Sequence, residues 1–224
     1  AGLGLALLKN IYSESRFASR AHGFDLYHER RDFGYIPFQE YIIKKIDCVL
    51  PCSQNGVDYL REKNGNPNNI EAAYLGVRDV NPNIKYSVDS SGTFSVMSVS
   101  YLTELKNVEK ILKSLQLFAK NNPKLSVEWF HIGDGPSRVG IEKVLLDSPE
   151  NLKAELLGHF SNNDVIDFYK KKYDKINCFV NVSSFEGLPV SVMEALSFGI
   201  PLVLADVGGM REQISHKSNG FLLS

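Results

Sequence analysis

A doubly wound parallel α/β domain over residues 93–224, preceded by part of a second unit of the same kind, is the fold this sequence predicts. Three observations predict it. Near-continuous apolar runs recur along the second half of the chain, as expected of strands buried on both faces. Between them lie segments whose apolar residues fall at helical spacing. Turn-forming Gly, Asn and Pro punctuate the changes of pattern. Strands alternating with helices in this way build a parallel sheet covered on both sides.

The elements follow in order. In residues 1–75 a helix is expected near 3–15, then a polar, aromatic and irregular stretch, "RFASRAHGFDLYHERRDFG". A helix "FQEYIIKKI", a strand "DCVLPCS", a helix "QNGVDYLREKNG" and a strand "IEAAYL" complete this part. It holds too few strands for a full doubly wound domain and reads as a partial N-terminal domain. Residues 76–92, rich in Asn, Ser, Gly and Pro, read as the interdomain connection. The C-terminal domain, 93–224, opens with the strand "TFSVMSVSYL". The following helix carries Val108, Ile111, Leu112, Leu115 and Phe118 at helical spacing and stops before Pro123. "LSVEWFHIG" is a strand closed by the turn "GDGP"; "SRVGIEKVLLD" is a helix and "NLKAELLG" a strand. "NNDVIDFYKKK" is a helix with Asn162 or Asn163 as N-cap. "INCFVNVS" is a strand, "PVSVMEALSFG" a helix with Pro in its first turn, and "IPLVLAD" a strand. "GMREQISH" reads as helical and "GFLL" as a last strand that ends mid-fold.

Composition excludes several classes. The 224 residues carry a net charge of -1, and residues 1–75 hold nine of the 25 Lys/Arg and nine of the 26 Asp/Glu. Neither half is a basic module for nucleic acid or an anionic membrane. Cys48, Cys52 and Cys178 make no disulfide framework. On one strand Cys48 and Cys52 would lie roughly 13 Å apart, too far to bridge. Small buried thiols in a reducing compartment are expected, hence a cytoplasmic protein. The opening run "AGLGLALL" is too short to span a bilayer, and no basic region precedes it. Its start inside a helix and its end mid-fold suggest a fragment of a longer chain, lacking most of the N-terminal domain and the last helices.

Three loops leave the carboxyl ends of strands, where open parallel sheets bind ligands. They are "YLTELKN", "GDGPSR" and "SSFEGLPVS". The third contains Glu186, with Glu194 eight positions on. Its amides at Gly187 and Leu188, and those of the helix start, suit phosphate. Gly187 lets the main chain approach a ligand closely. Carboxylates accept hydrogen bonds only, so Glu186 and Glu194 suit hydroxyl donors. This spacing fits sugar, diphosphate and ribose. It also fits a glutamate stabilised by the helix macrodipole beside a second, exposed one. Spacing alone leaves both open.

Resemblance narrows the choice. "SSFEGLPVSVMEALSFGIPLVLADVGG" is similar to the E-x7-E signature of the retaining glycosyltransferases of family 4, which have the GT-B fold. "EGLP", "EA-x-x-x-G-x-P", and "GG-x-x-E" at Gly208, Gly209 and Glu212 match too. "IGDGP" matches the family's Gly-rich turn, and "LTELKN" resembles its phosphate loop with Lys106 in the lysine position. The resemblance covers 92–224. It implies that Glu186 holds donor-sugar hydroxyls, Glu194 the ribose diol, and the Gly187 and Leu188 amides the sugar and pyrophosphate. Gly133 and Gly135 belong to the donor-binding turn, and Lys106 neutralises the departing diphosphate. Ser100-Tyr101 stands where the family has Gly-Arg, so no arginine role is carried over. "SRAHGFDLY" resembles the stretch of bacterial polysaccharide enzymes that faces the donor, which places His22 near the reacting sugar. Arg30 and Arg31 could meet an acceptor phosphate, although a solvated charge run fits them better.

The resemblance therefore implies a GT-B enzyme that moves a hexose or N-acetylhexosamine, with retention, from a UDP- or GDP-linked donor. The acceptor would be an oligosaccharide or lipid-linked glycan of O-antigen or capsule type, at the inner face of the cytoplasmic membrane. Peripheral membrane association would come through the full-length protein. No cofactor and no metal are expected, since a lysine and helix amides do the work and no Asp-x-Asp pair occurs. No nucleic acid partner is expected. The rivals are a non-catalytic nucleotide-sugar-binding module and a GT-B nucleotide-sugar epimerase.

Overall fold

The computed structural model describes residues 2–78 and 92–224, which divide into two compact units. One comprises the chain up to Leu75 together with Glu186–Leu188 and Gly208–Glu212. The other comprises Gly76–Phe185, Pro189–Val207 and Gln213–Ser224. Most of the expected connection, 76–92, falls on residues 79–91, outside the described residues.

The first unit runs α1 (Gly2–Ile11), β1 (Ala18–Ala21), α2 (Gly23–Leu26), α3 (Gln39–Lys45), β2 (Cys48–Pro51) and α4 (Gln54–Lys63). β1 and β2 pair in parallel from Ala18↔Cys48 to Ala21↔Pro51. Lys9 anchors α1 by an ion pair of 2.9 Å to Asp47, whose carboxylate also accepts from the Phe17 amide at 2.8 Å. Two expectations change here. The stretch that reads as irregular contains β1, α2 and a 3-10 turn at His28–Arg30. "IEAAYL" is no strand; Ile70 makes a single bridge to Val49. Its amides at Glu71 and Ala73 do donate to Val49 and Pro51, but guanidinium groups take its carbonyls. Arg61 donates to the Ile70 oxygen and Arg20 to that of Ala73. The three cysteines are free.

The second unit runs β3 (Thr93–Val99), α5 (Val108–Asn121), β4 (Ser126–Ile132), α6 (Arg138–Leu145), β5 (Leu152–Gly158), α7 (Asn162–Lys172), β6 (Cys178–Asn181), α8 (Val190–Ser197), β7 (Leu202–Ala205) and β8 (Gly220–Leu223). The strands form one six-stranded sheet in the order β5-β4-β3-β6-β7-β8, every neighbour parallel. The order reverses between β3 and β6, so the loops after those two strands flank the switch point at which such sheets bind ligands. Trp129 of β4 is wholly buried against α5, which contributes Val108, Ile111, Leu112 and Leu115. Burial of this size is the main source of the unit's stability.

Smaller corrections have physical reasons. Phe118 lies 36% exposed and meets Phe94 at 5.1 Å, while the polar Gln116 is buried beside Leu115 and Ala119. The Gln116 side-chain amide is satisfied by the Val144 carbonyl at 2.9 Å and the Ser148 hydroxyl at 3.0 Å. The N-cap of α7 is Ser161, not Asn162 or Asn163. Its hydroxyl accepts from the Asp164 amide, and the Asp164 carboxylate accepts from the Ser161 amide at 3.2 Å, a capping box. "GMREQISH" gives only a 3-10 turn, Gly208–Glu212. Asn219 then takes the chain over, accepting from the Ser215 amide and donating to the Gln213 carbonyl. Among the described residues no helix is long and apolar enough to cross a membrane.

Candidate active site

In the second unit, the loop after β3 folds back on the loop after β4. The Ser100 amide donates to the Ile132 carbonyl at 3.0 Å and the Leu102 amide to that of Asp134 at 2.9 Å. Gly133 (φ 145°) and Gly135 (φ 155°) sit under this crossing. A Cβ on Gly133 would stand 1.8 Å from the Ser100 oxygen, and one on Gly135 2.5 Å from the Leu102 oxygen. The two glycines are therefore required by the protein's own backbone, whatever ligand the turn also serves. Beneath them His131 is fully buried; its Nε2 donates to the Ser100 carbonyl at 3.2 Å and its Nδ1 accepts from the Ser98 hydroxyl at 2.8 Å. Trp129 Nε1 donates to the same hydroxyl oxygen at 2.9 Å. Burial pushes the His131 pKa down to about 4, so the ring is neutral.

Lys106 closes a 3-10 turn, Glu104–Lys106, on this loop and is half-buried. Asn107 follows in the left-handed conformation (φ 51°). Its side-chain amide donates to the Val182 carbonyl at 2.9 Å and the Ser184 hydroxyl at 2.7 Å, while the Ser184 backbone amide donates to the Leu105 carbonyl at 2.8 Å. The loops after β3 and β6 are thus stitched together on either side of the switch point. Tyr101 is 61% exposed.

Glu194 stands on α8 and is only 5% exposed. Its Oε1 accepts from Asn162 Nδ2 at 2.6 Å. Burial raises its pKa, and the Asn162 bond partly offsets this. The hydroxyl of Tyr169, fully buried behind it, has no hydrogen-bond partner among the described residues, and its ring stacks on Phe198 at 5.0 Å. Burial, and after it the Glu194 charge, lifts the Tyr169 pKa well above its ordinary value.

The first unit holds the remaining residues. Glu186 is 9% exposed and Leu188 7%. A Cβ on Gly187 would make ordinary contacts with Cys52 Sγ and the Gly23 nitrogen, each at 3.5 Å. The neighbouring chain therefore does not force glycine here. The Leu188 amide lies against the Cys52 thiol and opposes the upward push of burial on it. His22 is exposed where β1 passes into α2, its carbonyl accepting from the Asp25 amide at 2.8 Å and that of Leu26 at 3.1 Å. The next residue, Gly23, approaches Gly187, so this unit brings the His22 turn to the Glu186–Leu188 segment. Arg31 lies over the Phe24 ring at 3.6 Å.

Two positioning groups escape a reading of the sequence. Asn162 reads there as a helix cap and Asn107 as part of a loop. Their side-chain partners lie 32 and 75–77 positions away, which local patterning does not reach. Glu212 stands out in the sequence only by its spacing. Its carboxylate accepts from the Gln54 and Asn55 amides at 2.7 and 2.8 Å and caps α4 beside Ser53, the helix's own N-cap.

Comparison with known proteins agrees with this architecture. Residues 82–224 match the family described as glycosyl transferases group 1. An uncharacterized glycosyltransferase of Haemophilus influenzae is 32% identical over 131 residues, 57% of this chain and 34% of that protein. The O-antigen biosynthesis glycosyltransferase WbnH of Escherichia coli is 33% identical over 130 residues, 58% of this chain and 33% of its own length. The matched stretch thus spans about a third of these curated relatives. Among solved structures, that of a mutant of S. aureus TarM in complex with fondaparinux, alpha-GlcNAc-glycerol and UDP superposes with a TM-score of 0.74 at 20% identity, covering 93% of this chain and 41% of that one. This likeness identifies the fold as GT-B.

Proposed function

The chain belongs to the glycosyl transferases of group 1, and from that premise we propose that it moves a hexose or N-acetylhexosamine from a UDP- or GDP-linked donor to a glycan acceptor with retention, as in family 4. The observation that carries this reading is the buried carboxylate of Glu194, one oxygen of which is held by Asn162. A carboxylate kept out of water at an energetic cost, beside a ligand-binding switch point, suits neutral hydroxyl donors such as a ribose diol.

Each residue has a role in the proposal. Glu194 accepts from the ribose hydroxyls, and Glu186 from those of the transferred sugar. The amides of Gly187 and Leu188 donate to the sugar and pyrophosphate. Gly133 and Gly135 hold the donor side of the loop that carries Lys106. In the reaction the bond from the anomeric carbon to the diphosphate oxygen breaks. An acceptor hydroxyl oxygen bonds the same carbon on the same face, and its proton passes to the leaving diphosphate. Lys106 stabilises the charge that develops there, so no metal and no cofactor are required. His22 stands by the reacting sugar.

The likeness to an O-antigen biosynthesis glycosyltransferase supports a surface-polysaccharide acceptor; the proposal takes that acceptor as lipid-linked and met at the cytoplasmic face of the membrane. Calorimetric titration with UDP and GDP, followed by product analysis with the matching nucleotide sugars, tests the proposal. Binding of one diphosphate and a product of unchanged anomeric configuration are expected. An inverted product, or transfer that is lost in EDTA and restored by Mg²⁺ or Mn²⁺, overturns the corresponding part.

A further inference from the structure

We infer that Asn162 is a positioning residue for the donor: its amide fixes the Glu194 carboxylate so that the second oxygen faces the ribose diol. The inference rests on the ribose role proposed for Glu194 and adds a residue to it. Asn162 is the first residue of α7, and Glu194 lies on α8. The 2.6 Å bond between them joins an exposed amide to a buried carboxylate. Among the described residues Glu194 Oε1 has this donor, and no donor bonds Oε2. One lone-pair site of the anion is thus engaged by protein and the other oxygen is left for a ligand.

The bond satisfies part of the buried carboxylate, and α7 does not need it as a cap. The start of α7 is already capped by Ser161 and Asp164, which satisfy one another. Asn162 makes no contribution to that capping box. Holding an exposed side chain in one geometry against a carboxylate on the next helix costs rotamer freedom. That cost is offset if it removes the rotational freedom of Glu194, since a pre-oriented acceptor loses less on binding.

The groups around Glu194 make the test specific. From α7 come Asn162 and the buried Tyr169 hydroxyl, which stays neutral because burial and the Glu194 charge hold its pKa well above the usual value. Of the strands packed against α8, β7 has no titratable side chain, and β6 has only Cys178. Burial pushes that thiol up to about 12, so it too stays neutral.

The experiment is titration calorimetry of the whole chain with UDP and GDP as probes, using Asn162→Ala, Asn162→Asp, Glu194→Gln and the Asn162→Ala/Glu194→Gln double variant. Asn162→Ala should weaken diphosphate binding about fivefold, the worth of one ordinary hydrogen bond. In the Glu194→Gln background the same change should do nothing further, because the partner it orients is altered. Asn162→Asp keeps the shape and turns the donor into a second carboxylate. It should bind worse than Asn162→Ala where both carboxylates are charged and recover as the pH is lowered and the two acids come to share a proton. A purely structural residue would give no such recovery.

The outcomes separate the two readings. If Glu194→Gln binds both probes as the parent does, or the parent binds neither, the ribose assignment fails and the inference with it. If Glu194→Gln weakens binding but Asn162→Ala does not, only the inference fails. It also fails if the two losses add, or if Asn162→Asp binds no worse than Asn162→Ala.

Discussion

Gly133→Ala should destabilise the second unit more than an ordinary point change does. At φ 145° an L residue is strained, at about 1–3 kcal/mol. The new Cβ would also fall 1.8 Å from the Ser100 oxygen and 2.8 Å from its carbon, which are backbone atoms and cannot swing away. Relief requires Ser100 to move. That breaks its 3.0 Å bond to Ile132 and the 3.2 Å bond from His131. Each is worth about 1 kcal/mol, so the total is about 3–5 kcal/mol. For a unit of this size the melting temperature should fall by roughly 6–20 °C. The same movement shifts the loop that carries Lys106, so diphosphate affinity should fall as well. Gly140→Ala is the control. It sits within α6 with nothing inside 4 Å of where a Cβ would stand and should gain about 0.5–1 kcal/mol. Calorimetric melting of both variants decides. A Gly133→Ala protein that melts within about 1 °C of the parent would refute the claim that this glycine exists for backbone approach.

Further outcomes follow from the same geometry. Glu186→Gln should leave melting and diphosphate binding nearly unchanged but slow transfer about 10- to 150-fold, the worth of one charge-assisted hydrogen bond; a lower melting point with parental turnover would return Glu186 to a structural role. Ser161→Ala should cost about 1 kcal/mol in thermal unfolding, through loss of the α7 capping box. Glu212→Ala should cost a similar amount, about 1 kcal/mol, through the uncapped amides of Gln54 and Asn55, and unchanged stability would show that Ser53 suffices. His131, with its folded pKa depressed to about 4, binds its proton more readily when unfolded. Its contribution is therefore full above about pH 6.5 and is lost as the pH falls toward about 4, by roughly 3 kcal/mol; His131→Gln should flatten that limb of a stability-against-pH curve.

Legibility in the sequence tracks the length of each buried run. β3 and β4 are seven residues each and almost wholly buried toward their ends, so their apolar runs stand out. β1 has four residues, Ala-Ser-Arg-Ala, of which only Ala21 is buried. Such a strand leaves no hydrophobic pattern; it exists because β2 offers it a parallel ladder. The α5 period is readable over its first two turns and fails at Phe118. There a buried Gln116 can replace an apolar residue because two acceptors from another part of the chain satisfy its amide. Glu186 and Glu194 can be found from spacing, but their burial cannot. The reading of Glu194 as an exposed surface glutamate is excluded by its 5% exposure.

The segments around Glu186 and around Gly208 look like two separate matches when read along the chain, yet they are one object. A Cβ on Gly208 would lie 1.8 Å from the Glu186 oxygen, and one on Gly209 2.1 Å from the Gly187 oxygen. The Gly209 amide donates to that same Gly187 oxygen at 2.9 Å. Two glycines in succession are thus what allows the 208–212 turn to lie flat on the backbone of 186–188. Glu212, three residues beyond Gly209, then reaches the α4 amides within the same unit. The spacing Gly-Gly-x-x-Glu follows from these demands, and the Gly187 carbonyl is consumed by them.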